Sequence, residues 1–133
     1  GQNGVSVRMH SSDVTAYFAS YNIYSSPSDR LRVEKIVLGT VTGLYGPDTS
    51  GTYTEPITIK LTVNGSDLEF FVGGVSRYTG TDSSITGNLY TGIGLNYANA
   101  GTVFADNFEA GDLSAATAGN ILRNSVFNNT VFN

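Results

Sequence analysis

The sequence predicts an all-β fold, an antiparallel sandwich, on three observations. Apolar and polar residues alternate along its clearest stretches, glycine-bearing dipeptides punctuate them, and strand-formers and turn-formers dominate the composition. The 133 residues contain no cysteine and no tryptophan, so aliphatic, Tyr and Phe side chains must build the core and no disulfide can staple it. One domain of this length buries a core without staples, which leaves the compartment open. A net charge of −4 argues against nonspecific binding to nucleic acid, which requires a basic surface. No apolar run approaches membrane-spanning length and no signal peptide heads the sequence, although a processed precursor fits equally well. Neither nucleic acid nor membrane is therefore expected as a partner.

The best-defined element is a hairpin. Ile57, Ile59, Leu61 and Val63 alternate with Thr58, Lys60 and Thr62, which places the apolar set on one face of a half-buried strand. Asn64-Gly65 suits a type I′ turn, whose two central residues need positive φ. The chain returns through Leu68, Phe70 and Val72, with Asp67, Glu69 and Phe71 on the opposite face, and Gly73-Gly74 turns it again.

Upstream, Val5, Val7 and Met9 alternate with Ser6, Arg8 and His10, and Ser11-Ser12-Asp13 makes a polar turn. Val14 to Tyr24 reads as a longer strand of mixed register, implying a bulge or burial on both faces. After the loop at residues 25–29, Leu31, Val33 and Ile36 mark a strand that Gly39 ends, and Val41 to Tyr45 gives a short one reaching Gly46-Pro47-Asp48. Residues 48–55 and 79–88 read as polar surface loops. Leu89 to Tyr97 forms a strand whose Gly92 and Gly94 suggest a bulge, a bend or the close approach of another backbone. Thr102 to Glu109 is the last strand, and no helix longer than one turn is expected before residue 112. Ile57, Ile59, Leu61, Val63, Leu68, Phe70, Val72, Leu95, Val103 and Phe108 are the expected core.

The run I-x-L-x-V-N-G-S-x-L-x-F-F-V-x-G-V, followed by D-S-S-I-T, G-I-G-L and V-F-A-D-N-F, resembles the second half of a concanavalin A-like, laminin-G-like jelly roll. The resemblance extends over roughly residues 4 to 112, with Asp106 and Phe108 matching the end of that family's last strand. It implies a fold and says little of activity, because such sandwiches host lectins, glycosidases, adhesion modules and virion proteins alike. Relative to the family, strands ahead of Val5 to Met9 are missing, so the expectation is strands supplied by another chain, a reduced sandwich, or a piece of a longer protein. The domain is placed at residues 1–112, a linker at 113–119 and an extended tail at 120–133. In that tail Ile121, Leu122 and the pairs Val126-Phe127 and Val131-Phe132 lie in an Asn-rich, nearly uncharged segment. Such apolar pairs need something to pack on: strand addition to a neighbour's edge is the simplest mode, and folding back on the chain's own domain is the alternative.

Catalytic signals are weak. The E-x-D-x-x-E signature of glycosidases on this fold is absent, and Asp67 with Glu69 reads better as a solvated outer face than as a catalytic pair. His10, the single histidine, reads as a surface residue without a sequence-local carboxylate, and zinc is excluded for lack of ligands. The chain is accordingly expected not to be an enzyme and to carry no cofactor. The resemblance implies one exception, calcium at the rim, with Asp82, Asp106 and Asn107 as candidate ligands and Asp48, in the long loop, as a further one. Tyr45, Tyr53, Tyr78, Tyr90 and Tyr97 are candidate glycan-stacking residues. Three functions follow in order: a virion surface module (decoration or tail-fibre) forming a homo-oligomer or larger assembly, a carbohydrate-binding or adhesion module of a secreted protein, and a glycosidase or lyase relative. The expected location is the virion surface or the extracellular space.

Overall fold

The stretches that alternate most clearly form strands, and glycines set several of the turns between them. In the computed structural model the described residues are 2–22, 30–51, 53–54, 56–87, 90–96 and 107–111. They form eight strands and, among the described residues, no helix. The strands are β1 (Gln2–Met9), β2 (Ala16–Asn22), β3 (Arg30–Val37), β4 (Thr40–Asp48), β5 (Ile59–Asn64), β6 (Asp67–Val72), β7 (Val75–Thr81) and β8 (Tyr90–Asn96). They pair antiparallel into a five-stranded sheet of order β4-β3-β2-β1-β8 and a three-stranded sheet of order β5-β6-β7. The result is a β-sandwich-like fold in which both sheets contribute to one core.

The turns refine the sequence reading. Asn64 pairs with Asp67, so the two-residue turn is Gly65-Ser66 rather than Asn64-Gly65. Positive φ falls on Gly65 and not on Asn64, the pattern of a turn with glycine at its first central position. Either placement keeps Leu61, Val63, Leu68 and Phe70 on the same face, so alternation alone could not choose between them. Gly73 and Gly74 both have positive φ and join β6 to β7 as expected. The stretch from Thr79 is not all loop, because β7 continues to Thr81. Its largely exposed side chains give no hydrophobic pattern, and backbone pairing with β6 decides its state.

Strand β2 is buried on both faces, one of the two outcomes its mixed register allows. Tyr17, Ala19 and Tyr21 enter the core, while Phe18 lies on the other face. A Cβ on Gly4 of β1 or Gly94 of β8 would run into the Phe18 ring, and one on Gly92 would meet Met9 Sδ. The glycines of β8 therefore admit side chains from neighbouring strands, where the sequence suggested a bend, a bulge or another backbone. A register shift between Ser6 and Met9 does interrupt the β1–β8 pairing at this place.

Tyr17, Ala19, Tyr21, Leu31 and Val33 from one sheet meet Leu61, Leu68, Phe70 and Val72 from the other, with Ile85 closing the cluster. Ile57, Ile59 and Val63 pack around it, half-buried. Phe108 does not belong to it: the ring is 46% exposed, and residues 107–111 are not in a strand. Its place in the expected core came from the family pattern, whereas the space between the sheets is filled by Tyr17, Tyr21 and Phe70. The Leu95 side chain, Val103 and most of the expected last strand lie outside the described residues. Phe70 is fully enclosed. Replacing it by alanine is expected to cost about 3–5 kcal/mol, read as a lower urea midpoint at unchanged slope. An unchanged midpoint would remove Phe70 from the centre of the core.

Candidate functional site

Three of the five candidate tyrosines come together at one side of the sandwich. Tyr45 on β4 and Tyr78 on β7 stack with ring centroids 5.2 Å apart and 26° between planes. Tyr53, in the connection from β4 to β5, meets the buried Tyr21 edge-on at 5.7 Å. The Arg77 guanidinium lies 5.3 Å above the Tyr53 ring. The Tyr45 hydroxyl donates a short hydrogen bond to Asp48 Oδ2, and Asp48 Oδ1 accepts from the Ser50 backbone N–H at 2.8 Å. Burial, then the bond to Asp48, pushes the Tyr45 phenol up to about 12. Hydrogen bonds from Ser50, and then from Tyr45, hold the Asp48 carboxyl below its ordinary value. Each ring in this group has a face, an edge or its hydroxyl committed to a neighbour, so the cluster joins the sheets more than it offers a platform to a sugar. Tyr90 sits apart on β8, 64% exposed, at the opposite end of the sheet order from β4. Tyr97 lies outside the described residues.

Asp82 sits just after β7 and is held by several partners at once. Its Oδ1 accepts from Tyr17 Oη at 2.7 Å, from the Ser84 N–H at 2.9 Å and from the Ser84 hydroxyl, while Oδ2 pairs with Lys35 Nζ at 2.7 Å. Its backbone is held as well: the carbonyl lies 3.0 Å from Tyr17 Oη and shares that hydroxyl's single proton with Oδ1, and the Asp82 N–H donates to Ser66 O at 2.8 Å. Desolvation raises its pKa, yet the Lys35 ammonium and then the hydroxyls of Ser84 and Tyr17 outweigh that and hold the carboxyl well below the carboxylate range. Arg8, at φ 52°, bridges the same region by donating to Ile85 O at 2.7 Å and Gly65 O at 2.6 Å.

This arrangement does not fit calcium at Asp82. Both carboxylate oxygens already accept hydrogen bonds, one from an ammonium that would repel a second cation, and among the described residues no three His, Cys, Asp or Glu side chains gather as a metal site. Asn107 is exposed with φ 55°, and Asp106 lies outside the described residues. Asp67 is exposed and Glu69 half-buried beside a shallow depression that Thr62, Asn64 and Thr79 also line. His10 does have a sequence-local carboxylate after all: Asp13, three residues on, approaches its Nδ1 at 3.4 Å across the β1–β2 turn. Sequence reading missed Lys35, Arg8 and Tyr17 as partners of this region. Strand alternation marks which face a residue occupies, not which distant loop it meets.

The tail residues Ile121, Leu122, Val126, Phe127, Val131 and Phe132 lie outside the described residues. No helix of the described residues is long and apolar enough to cross a membrane. No protein-family model, curated protein or solved structure matches this chain.

Two pH dependences follow. The Asp82 pKa is depressed from 3.8, so its contribution to stability is present above that value and fades as pH falls below it. Asp82→Asn is expected to lower stability by about 1–3 kcal/mol at pH 7, with the gap to the parent closing toward pH 2 in denaturant titrations. A gap that stays constant with pH would mean that the carboxylate charge contributes nothing. The Tyr45 pKa is raised, so its contribution is present below pH 10 and is lost as pH rises through about 12. Tyr45→Phe should therefore flatten the fall of stability between pH 10 and 12, with ultraviolet titration showing one fewer late-ionising phenol.

Proposed function

We propose that this chain is a non-catalytic structural module that works by assembling with other protein chains. The observation that carries this reading is how its surface and its polar groups divide the work. Asp82, Lys35, Tyr17, Arg8, Tyr45 and Asp48 are committed to contacts that tie the fold together. Meanwhile Val14, Leu38, Val41, Val75, Tyr90, Ile93 and Phe108 remain exposed on its surface. Scattered exposed apolar residues are ordinary, but sets that share one end or one edge suit protein contacts. A virion surface protein, of the decoration or tail-fibre kind, is the role we favour, and with it a virion or extracellular location. The Thr-, Ser-, Gly- and Asn-rich composition with few lysines supports it, as do the apolar pairs of residues 120–133. The finer reading of the fold as a concanavalin A-like jelly roll belongs to the same proposal, supported by two facing antiparallel sheets and by the motif-bearing hairpin. A carbohydrate-binding or adhesion module is the second reading, favoured by the exposed ring of Tyr90.

Light scattering on the full chain, and on one ending at residue 119, tests the assembly reading. The full chain is expected to be a multimer and the shortened one to have a lower mass. A monomer in both forms would overturn it and favour the binding module, for which glycan-array screening with Tyr90→Ala as control is the next step.

A further inference from the structure

Four strands end the two sheet orders, and they differ in how they are guarded against pairing. β5 carries Lys60 and β7 carries Arg77, cations of the kind that discourage a second strand from adding. β8 carries no charge from Tyr90 to Asn96, and β4 none from Thr40 to Pro47; of these two, β4 is the one that adjoins an exposed apolar hairpin tip. Among the described residues it pairs on one side only, with β3, which leaves its outer row of N–H and C=O groups facing outward. Its two halves also differ. Thr40 to Gly43 pair regularly with Val37 to Glu34, whereas register shifts follow between Glu34 and Leu31, and Gly46 at φ 87° bends the strand. The regular half ends in an apolar corner. Leu38 is 74% exposed at the hairpin tip, in a left-handed conformation (φ 49°) that leucine adopts at a cost, with Val41 56% and Val14 65% exposed beside it. The corner is held rigidly, since Gly39 N donates to Val14 O at 2.8 Å and Leu38 N to Thr15 Oγ1 at 3.0 Å.

We infer that β4 is a self-association edge, on which a second copy of this chain pairs antiparallel through its own β4. The inference rests on the assembly reading and gives it a surface. A second copy is the occupant the edge suits, because an uncharged strand meets its own copy without repulsion and two-fold pairing repeats the same apolar corner at both ends. The register follows from the backbone. Only alternate residues of an edge strand turn their N–H and C=O outward, so two-fold pairing must pass through a single residue. Centring on Val41 would draw in the turn residue Gly39, and centring on Gly43 would draw in Tyr45 and Gly46 from the irregular half. Centring on Thr42 keeps the hydrogen-bonding residues Val41 and Gly43 in the regular half and reaches only Leu44 beyond it. It sets the exposed Val41 opposite Gly43 of the second copy, where a Cβ would find nothing within 4 Å in the single chain.

This register has a signature that a chain without cysteine can report cleanly. Thr42 faces itself at about 4.5–5.5 Å between Cα atoms, within disulfide reach. Thr40 stands four residues from its own copy, about 14 Å, out of reach. On mild oxidation the full-length Thr42→Cys protein is expected to become a covalent dimer, whereas Thr40→Cys stays single. A full-length Val41→Lys, Gly43→Arg double variant is expected to lose at least half the parent's mass in light scattering, with circular dichroism and melting temperature unchanged, because both side chains enter solvent. If the parent is a multimer but Thr42→Cys does not cross-link, the β4 edge is overturned and the assembly reading stands on another surface. If the parent is a monomer, both fall together.

Discussion

The contact on which the rest depends is the hydroxyl of Tyr17. Its ring is fully enclosed at the centre of the core, so its one polar atom must find partners inside the protein. It finds them in Asp82, whose carboxylate and carbonyl it reaches, and in the Ile85 N–H, from which it accepts at 3.2 Å. Lys35 then neutralises the carboxylate from the neighbouring strand. A core tyrosine on one sheet thereby fixes the chain leaving the other sheet, and Ile85 is carried into the core by the same connection. Arg8 repeats the device from β1, reaching both this connection and the β5–β6 turn. The two sheets are joined by hydrogen-bonded polar side chains as well as by apolar area.

The tyrosine cluster around Tyr45 makes a second join. Tyr45 and Tyr78 come from different sheets and stack, and Tyr53 wedges against Tyr21 beneath Arg77. With no tryptophan available, tyrosines give this sandwich large apolar faces whose polar ends can still be satisfied near the rim. On the outside of the larger sheet, Phe18 does a comparable task by covering the backbone of Gly4 and Gly94. Glycine on adjacent strands makes room for one ring, which restores part of the packing those glycines give up.

These joins shape what the molecule can offer to others. The Asp82 carboxylate is drawn into the contacts between sheets. Beside exposed charges such as Lys60 and Asp67, the outward face carries uncharged and apolar stretches: the β3–β4 hairpin tip, the first half of β4, and Tyr90 with Ile93 on β8. Such stretches suit shape matching and backbone pairing. The proposed assembly draws on these stretches, with the β4 edge as its proposed surface.

The sequence by itself determined the all-β class, the β5–β6 hairpin with its buried face and the Gly73-Gly74 turn. These are local properties: alternation and turn chemistry act over a few residues and are written in consecutive positions. The tertiary structure decided the register of the Gly65-Ser66 turn, the existence of β7, the exposure of Phe108 and the partnership of Tyr17, Lys35 and Asp82. Asp82 and Tyr45 were legible as candidates for a site, but not the use the fold makes of them. Tyr17 and Asp82 stand 65 positions apart, and neither carries a local pattern that names the other. Only when two sheets close on one core does a buried hydroxyl require a particular acceptor, and that requirement comes from packing, not from neighbours in the chain.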